Sequence, residues 1–224
     1  MRSLPFAIVG FDLDGTLFDT SPDLTGAVNH ALAALHRPAL EIDAVQAMIG
    51  RGSRAMLDQA LAATGGSAPN LVDRAYPLLL DHYAAHIADG TRPYPGLHDA
   101  LAALSRDGVR LGIATNKPER LAVQLIEAMG LADFFACVIG GDTLGPGGAK
   151  PAPAPILEMI RRCGGGRAVF VGDSALVVAA AHDAGIPAIV ARFGFLTGPA
   201  EALGGDAVID GFDDLLPALH YLGS

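Results

Sequence analysis

Two carboxylates one residue apart, Asp12 and Asp14 in FDLDGTLFD, stand at the end of a short apolar run, Phe6–Phe11. In a crevice such a pair resists full ionisation unless a cation is near, because like charges raise each other's pKa. Mg2+ accepts carboxylate and carbonyl oxygens and keeps several waters, and Asp12, a backbone carbonyl and a second acid, Asp173, suit it. Asp173 ends another apolar run, Ala168–Val171. Thr115 and Asn116 end the run Val109–Thr115 in IATNKPE, and Lys150-Pro151 follows a glycine loop after Ala136–Ile139. A hydroxyl and an ammonium add donors for an anion with several oxygens, which points to phosphate.

These residues converge only if the runs are neighbouring strands. Continuous apolar runs alternate with helical patterns from about Tyr94 onward, continuing through Ala188–Ala191 and the weaker Ala207–Ile209. That alternation predicts βαβ units around a parallel sheet covered on both faces, a Rossmann-like α/β core. Ligands of such sheets collect at the carboxyl ends of the strands, where helix N-termini also point. Between the first strand and residue 92 no further strand is expected. Ser21-Pro22-Asp23 opens a helix with Leu24, Val28, Ala31, Leu32 and Leu35 on one face, and further helices are expected at Arg54–Ala63 and Leu71–Ala88. The economical arrangement is a helical domain of residues 20–92 inserted after the first strand of a core formed by 1–19 and 93–224. Its second hinge is TRPYPG, Thr91–Gly96, where two prolines disfavour helix.

Composition removes whole classes of function. Fifteen Lys and Arg against 24 Asp and Glu give a net charge of −9, with no basic run to meet nucleic acid or an anionic membrane. The first apolar segment is cut by Asp12 and Asp14 before a signal or membrane helix can form, so a soluble cytoplasmic protein is expected. Cys137 and Cys163 have no CxxC or disulfide-framework spacing and read as free thiols.

Other motifs are weaker. An EF-hand loop starting at Asp12 needs Gly at its sixth position and Glu at its twelfth, where Leu17 and Asp23 stand. His82 and His86 face one way on a helix, but Tyr83 replaces the Glu of a zinc-protease motif, and GPGGAK lacks P-loop spacing. Taken singly, Asp173 is equally well a helix cap, and Thr115, Asn116 and Lys150 are turn residues. Their joint placement after successive strands makes the chemical reading.

FDLDGTL, ATNK, KPAPAP and VGDS, in this order, resemble the motifs of the haloacid dehalogenase (HAD) superfamily of phosphohydrolases. FDTSPDLTGAVNHALAAL, IGRGSRAML, GGDTL and DAVIDGFDDLLPAL are further similar to the bacterial phosphoglycolate phosphatases within it. The resemblance implies a Mg2+-dependent phosphatase of a small phosphorylated metabolite, with a helical cap over the site. It makes Asp12 the nucleophile that becomes an aspartyl phosphate and Asp14 the general acid and base, its carbonyl a metal ligand. Thr115 and Lys150 would hold the phosphoryl group with Asn116 nearby, Asp173 would complete the metal ligands, and Arg51 of the Gly50-Arg51-Gly52 loop is a candidate to meet a substrate carboxylate, a plain surface Arg being the alternative. A β-phosphoglucomutase-like mutase and a phospholigand-binding member without turnover remain alternatives. The chain departs from the family at Ala152, in KPAP rather than KPDP, and at Val177, where GDSxxD carries a second Asp. On the first turn of its helix Val177 is expected close to the metal, unable to accept a hydrogen bond, so that replacing it with Asp should improve metal affinity or rate.

Overall fold

In the computed structural model, which describes residues 4–224, the apolar runs form one six-stranded parallel sheet. Residues 1–3 of the expected core segment lie outside the described residues. β1 (Ile8–Phe11) is followed at a distance by β4 (Arg110–Ala114), β5 (Phe135–Ile139), β6 (Ala168–Gly172), β7 (Ala188–Ala191) and β8 (Ala207–Ile209), in the order β5-β4-β1-β6-β7-β8. β1 is central because it is buried on both faces. Val9 and Phe11 join one apolar cluster, while Ile8 joins the other. Such two-sided burial is why these strands read as continuous runs rather than alternating ones.

Helices α5 (Leu97–Arg106), α6 (Glu119–Ala128) and α9 (Leu215–Gly223) give Leu101, Leu104, Leu121, Leu125 and Leu219 to the first cluster; α7 (Ala154–Arg162) and α8 (Ala175–Asp183) give Ile156, Met159, Val178 and Ala181 to the second. The direction of strand addition reverses between β1 and β6. That switch point opens a crevice at the strand ends, where Asp12 follows β1 and Asp173 follows β6.

The expectation of no strand before residue 92 is corrected by a small ribbon. β2 (Phe18–Asp19) pairs antiparallel with β3 (Arg92–Pro93), so the chain leaves and re-enters the core side by side. Two residues per strand are too few to show a period in sequence. Between them lie α1 (Ser21–Ala34), α2 (Ile42–Gln46), α3 (Ser53–Ala63) and α4 (Pro69–Ala85). Leu24, Val28, Ala31 and Leu32 of α1 are buried with Ala75, Leu79 and Tyr83 of α4, whereas Leu35 is the half-buried residue that ends α1. α4 stops three residues short of the expected Ala88, and the short α2 is additional.

Asp23 departs from its expected part as a simple partner of the helix dipole. Its carboxylate accepts hydrogen bonds from the backbone N–H of Gly90 (2.7 Å) and Thr91 (2.8 Å) and from Thr91 Oγ1 (2.7 Å). A buried carboxylate with three donors is well satisfied, and it ties the first turn of α1 to the strand returning to the core.

Candidate active site

Asp12 takes its position from the ladder. Its N–H donates to the Val171 carbonyl of β6 at 2.9 Å, which holds the first residue beyond β1 against the neighbouring strand. The chain then turns through Gly15 at φ +76°, a left-handed conformation that suits glycine. A Cβ at Gly15 would also lie 2.1 Å from Asp173 Oδ2, so the turn and the second acid are in direct apposition.

Two crossed ion pairs dominate the crevice. Lys150 Nζ lies 2.7 Å from Asp12 Oδ2, with Asp12 Oδ1 accepting from the Leu13 N–H at 2.8 Å. Lys117 Nζ donates to Asp14 Oδ1 at 2.7 Å and Oδ2 at 3.0 Å, and Thr20 Oγ1 adds a donor to Oδ1 at 2.7 Å. Both lysines are buried, so each pair survives only because the partner charge is present. Burial alone would lower the Lys117 ammonium; Asp14 and Tyr83 outweigh it and hold it above its ordinary value. Tyr83 of α4 presents its ring 4.6 Å from Lys117 Nζ, and burial pushes its hydroxyl up to about 12.

Asp173 is buried and accepts from the Phe195 N–H at 2.7 Å. Burial first, then the neighbouring Asp12, push its carboxyl up to about 7, with Lys150 opposing. Asp12 and Asp173 therefore carry more negative charge than the nearby lysine offsets. Hard oxygen donors crowded in this way fit a divalent cation such as Mg2+. Asp14 can join only through its backbone, because its carboxylate is committed to Lys117 and Thr20. Among the described residues no three His, Cys, Asp or Glu side chains converge on one point. That holds for His82 and His86 as well: His82 stacks on His30 and meets His86 at a tilt, each pair of rings 4.4 Å apart.

The cavity above these pairs encloses about 400 Å³ of empty space, its open mouth included, a size for a small ligand. Asp12, Asp14, Thr115, Asn116 and Lys117 form its floor; Leu24, Ile49, Gly50, Gly52, Ser53 and Met56 of the helical insert form its roof. Lys150 and Asp173 do not line it and reach it through Asp12.

Three expectations change here. Arg51 is exposed and outside the lining, although its neighbours Gly50 and Gly52 are within it. Asn116 spends its amide on the backbone: Nδ2 donates to the carbonyls of Gly50 (2.9 Å) and Lys150 (3.0 Å), and Oδ1 accepts from the Lys150 N–H (2.8 Å). It is thus a latch between the insert and the lysine loop. Val177 is fully buried in the second apolar cluster, and a Cβ on Gly172 would meet its methyl at 2.5 Å. Its side chain packs on the β6 backbone rather than lining the cavity. The residues that sequence reasoning missed are Lys117, present in the TNK turn two positions after Thr115 but given no role, and the apolar roof, Leu24 and Met56.

Comparison with known proteins gives the family and the fold. Residues 6–185 match the family model described as haloacid dehalogenase-like hydrolase. Phosphoglycolate phosphatase of Caulobacter vibrioides is 41% identical over 222 residues, covering 96% of this chain and 91% of that protein. Among solved structures, a predicted phosphoglycolate phosphatase from Haemophilus somnus superposes with a TM-score of 0.90 at 28% identity, covering 97% and 99% of the two chains. CbbY from Rhodobacter sphaeroides, solved in complex with phosphate, gives 0.79 at 26% identity, covering 94% and 96%.

Proposed function

Since the chain belongs to the haloacid dehalogenase-like hydrolases and, with its relatives at 40–41% identity, is a phosphoric monoester hydrolase, we propose that it hydrolyses phosphoglycolate through an aspartyl phosphate on Asp12, with Mg2+. The observation that carries this reading is the pair of ammonium groups, Lys150 on Asp12 and Lys117 on Asp14, under one small cavity. A two-carbon substrate with a phosphate at one end and a carboxylate at the other presents two anions to two cations. The phosphoryl group falls to Lys150 and Thr115, and the carboxylate to Lys117.

Asp12 attacks phosphorus once Lys150 has drawn charge from the phosphoryl oxygens. Without that offset a carboxylate and a phosphate dianion repel. Mg2+, held by Asp12, Asp173 and the Asp14 carbonyl, would supply the remaining positive charge. Asp14 enters the first step protonated, its Lys117 contact passing to the substrate carboxylate; it gives that proton to the departing oxygen and regains one from the water that cleaves the acyl phosphate. Splitting hydrolysis at a covalent intermediate replaces one high barrier by two lower ones. Leu24, Met56 and the loop at Gly50 exclude bulk water from above. We take residues 20–92 as the cap and 1–19 with 93–224 as the core, hinged at the ribbon of β2 and β3.

The test is phosphate release from phosphoglycolate, sugar phosphates and other small phosphomonoesters with Mg2+. Phosphoglycolate is expected to give the highest kcat/KM. Asp12→Asn is expected to fold normally and to lose turnover, since an amide is no nucleophile toward phosphorus. A variant that kept wild-type turnover would exclude the covalent route, and dependence on a sugar bisphosphate would mark a mutase instead.

A further inference from the structure

Both cysteines of the chain lie away from the cavity, Cys137 in β5 and Cys163 at the end of α7, yet their sulfurs are 3.8 Å apart. The sheet itself brings them together. The pairing of β4 with β5 slips between Leu111 and Gly112, so that Phe135 pairs with Leu111 and Cys137 with Gly112, leaving Ala136 over. A bulge of this kind re-aims a side chain. Gly112 leaves its own side-chain space to α7: a Cβ there would be 3.0 Å from Cys163 Sγ and 2.6 Å from Met159 Cγ. The two thiols therefore meet over the one β4 position that has room for them.

Access and reactivity differ between the two. Cys137 is half-buried on the edge strand of the sheet, whereas Cys163 is buried beneath it. The S–H contact between them raises the Cys137 thiol and, with Arg110, holds the Cys163 thiol below its ordinary value. One sulfur of the pair thus gains thiolate character beside a second thiol within reach, the arrangement of a site that resolves oxidation internally.

We propose that Cys137 and Cys163 form a reversible intramolecular disulfide on reaction with a hydroperoxide. One thiolate attacks the O–O bond and becomes a sulfenic acid as the first water or alcohol leaves. The other thiol then displaces the sulfenic oxygen as water, so two thiols lose two protons and two electrons and the peroxide takes them up. The bond staples β5 to the far end of α7 across 26 positions of chain, the segment that carries Lys150. Closing a loop of that length restricts the unfolded chain and stabilises the fold.

The experiment treats the whole protein with hydrogen peroxide and follows free thiols, intact mass and melting temperature. Expected are the loss of both thiols, a mass decrease of about 2 Da, a Cys137–Cys163 linked peptide, and a melting temperature higher by about 5–10 °C that dithiothreitol returns to its starting value. Cys137→Ser, at the more exposed position, should show neither the mass decrease nor the rise. Addition of oxygen atoms without the linked peptide, a disulfide between two molecules, or an unchanged melting temperature in the linked protein would overturn the proposal.

Discussion

Lys117 and Asp14 stand 103 positions apart, and neither neighbourhood in sequence names the other. Asp12, Asp14, Thr115 and Asp173 were legible because they stand at or just past the end of an apolar run, and Lys150 because its loop follows one; parallel strands bring such ends to one rim. Lys117 sits in the same turn as Thr115, but its partner depends on how the turn after β4 faces the one after β1. The direction in which Arg51 points was equally beyond sequence, since two flexible glycines flank it. Replacing Lys117 by Met leaves the Asp14 carboxylate without its cation and removes the group assigned to the substrate carboxylate. We expect kcat/KM for phosphoglycolate to fall about 100-fold or more, the scale of truncating one member of a buried charge pair. For a phosphomonoester without a carboxylate, KM should change much less. Equal losses on both substrates would limit Lys117 to orienting Asp14.

At the scale of elements, the core strands were readable as apolar runs, a pattern that two-sided burial produces in β1, β6 and β7, whereas the partly buried edge strand β8 gave only a weak one. The two-residue ribbon was not readable, because its pairing across the insert has no local signature. Helix α8 shows a subtler failure. Its start was placed correctly, and Ser174 does cap it, accepting from the Val177 N–H. Which side of that first turn faces the crevice depends on the tilt of the helix on the sheet, and Val177 faces Gly172 in the apolar cluster. The expected benefit of Val177→Asp is therefore replaced by a cost. A carboxylate in that cluster has no mapped donor, and unfolding in urea should show a loss of about 3 kcal/mol or more. Unchanged stability together with tighter Mg2+ dependence would return the position to the site.

For the molecule as a whole, Asp173 couples stability to pH. Its folded carboxyl lies at about 7 against an ordinary 3.8, so the folded state binds the proton more tightly than the unfolded chain. The stability this contributes is complete below about pH 4 and is lost as pH rises through 7. In chelator the melting temperature should accordingly fall between pH 5 and pH 8, by an amount corresponding to a few kcal/mol. With Mg2+ present, the cation offsets the charge of Asp12 and Asp173 and the fall should shrink. Melting curves across that range, with chelator and with Mg2+, provide the check; identical pH profiles would mean that Asp173 does not hold the cation.

The ribbon of β2 and β3 carries one more implication. Phe18 pairs with Pro93 and Asp19 with Arg92, so the chain departs from the sheet and comes back one strand spacing away, roughly 5 Å. A segment whose two ends already touch can be lengthened, shortened or exchanged for a different module without re-threading a single strand. The acids and lysines at the strand ends are thereby insulated from that change, while the roof residues Leu24, Ile49, Ser53 and Met56 travel with the exchanged piece. Substrate range and bond-breaking chemistry can then diversify on separate stretches of one gene.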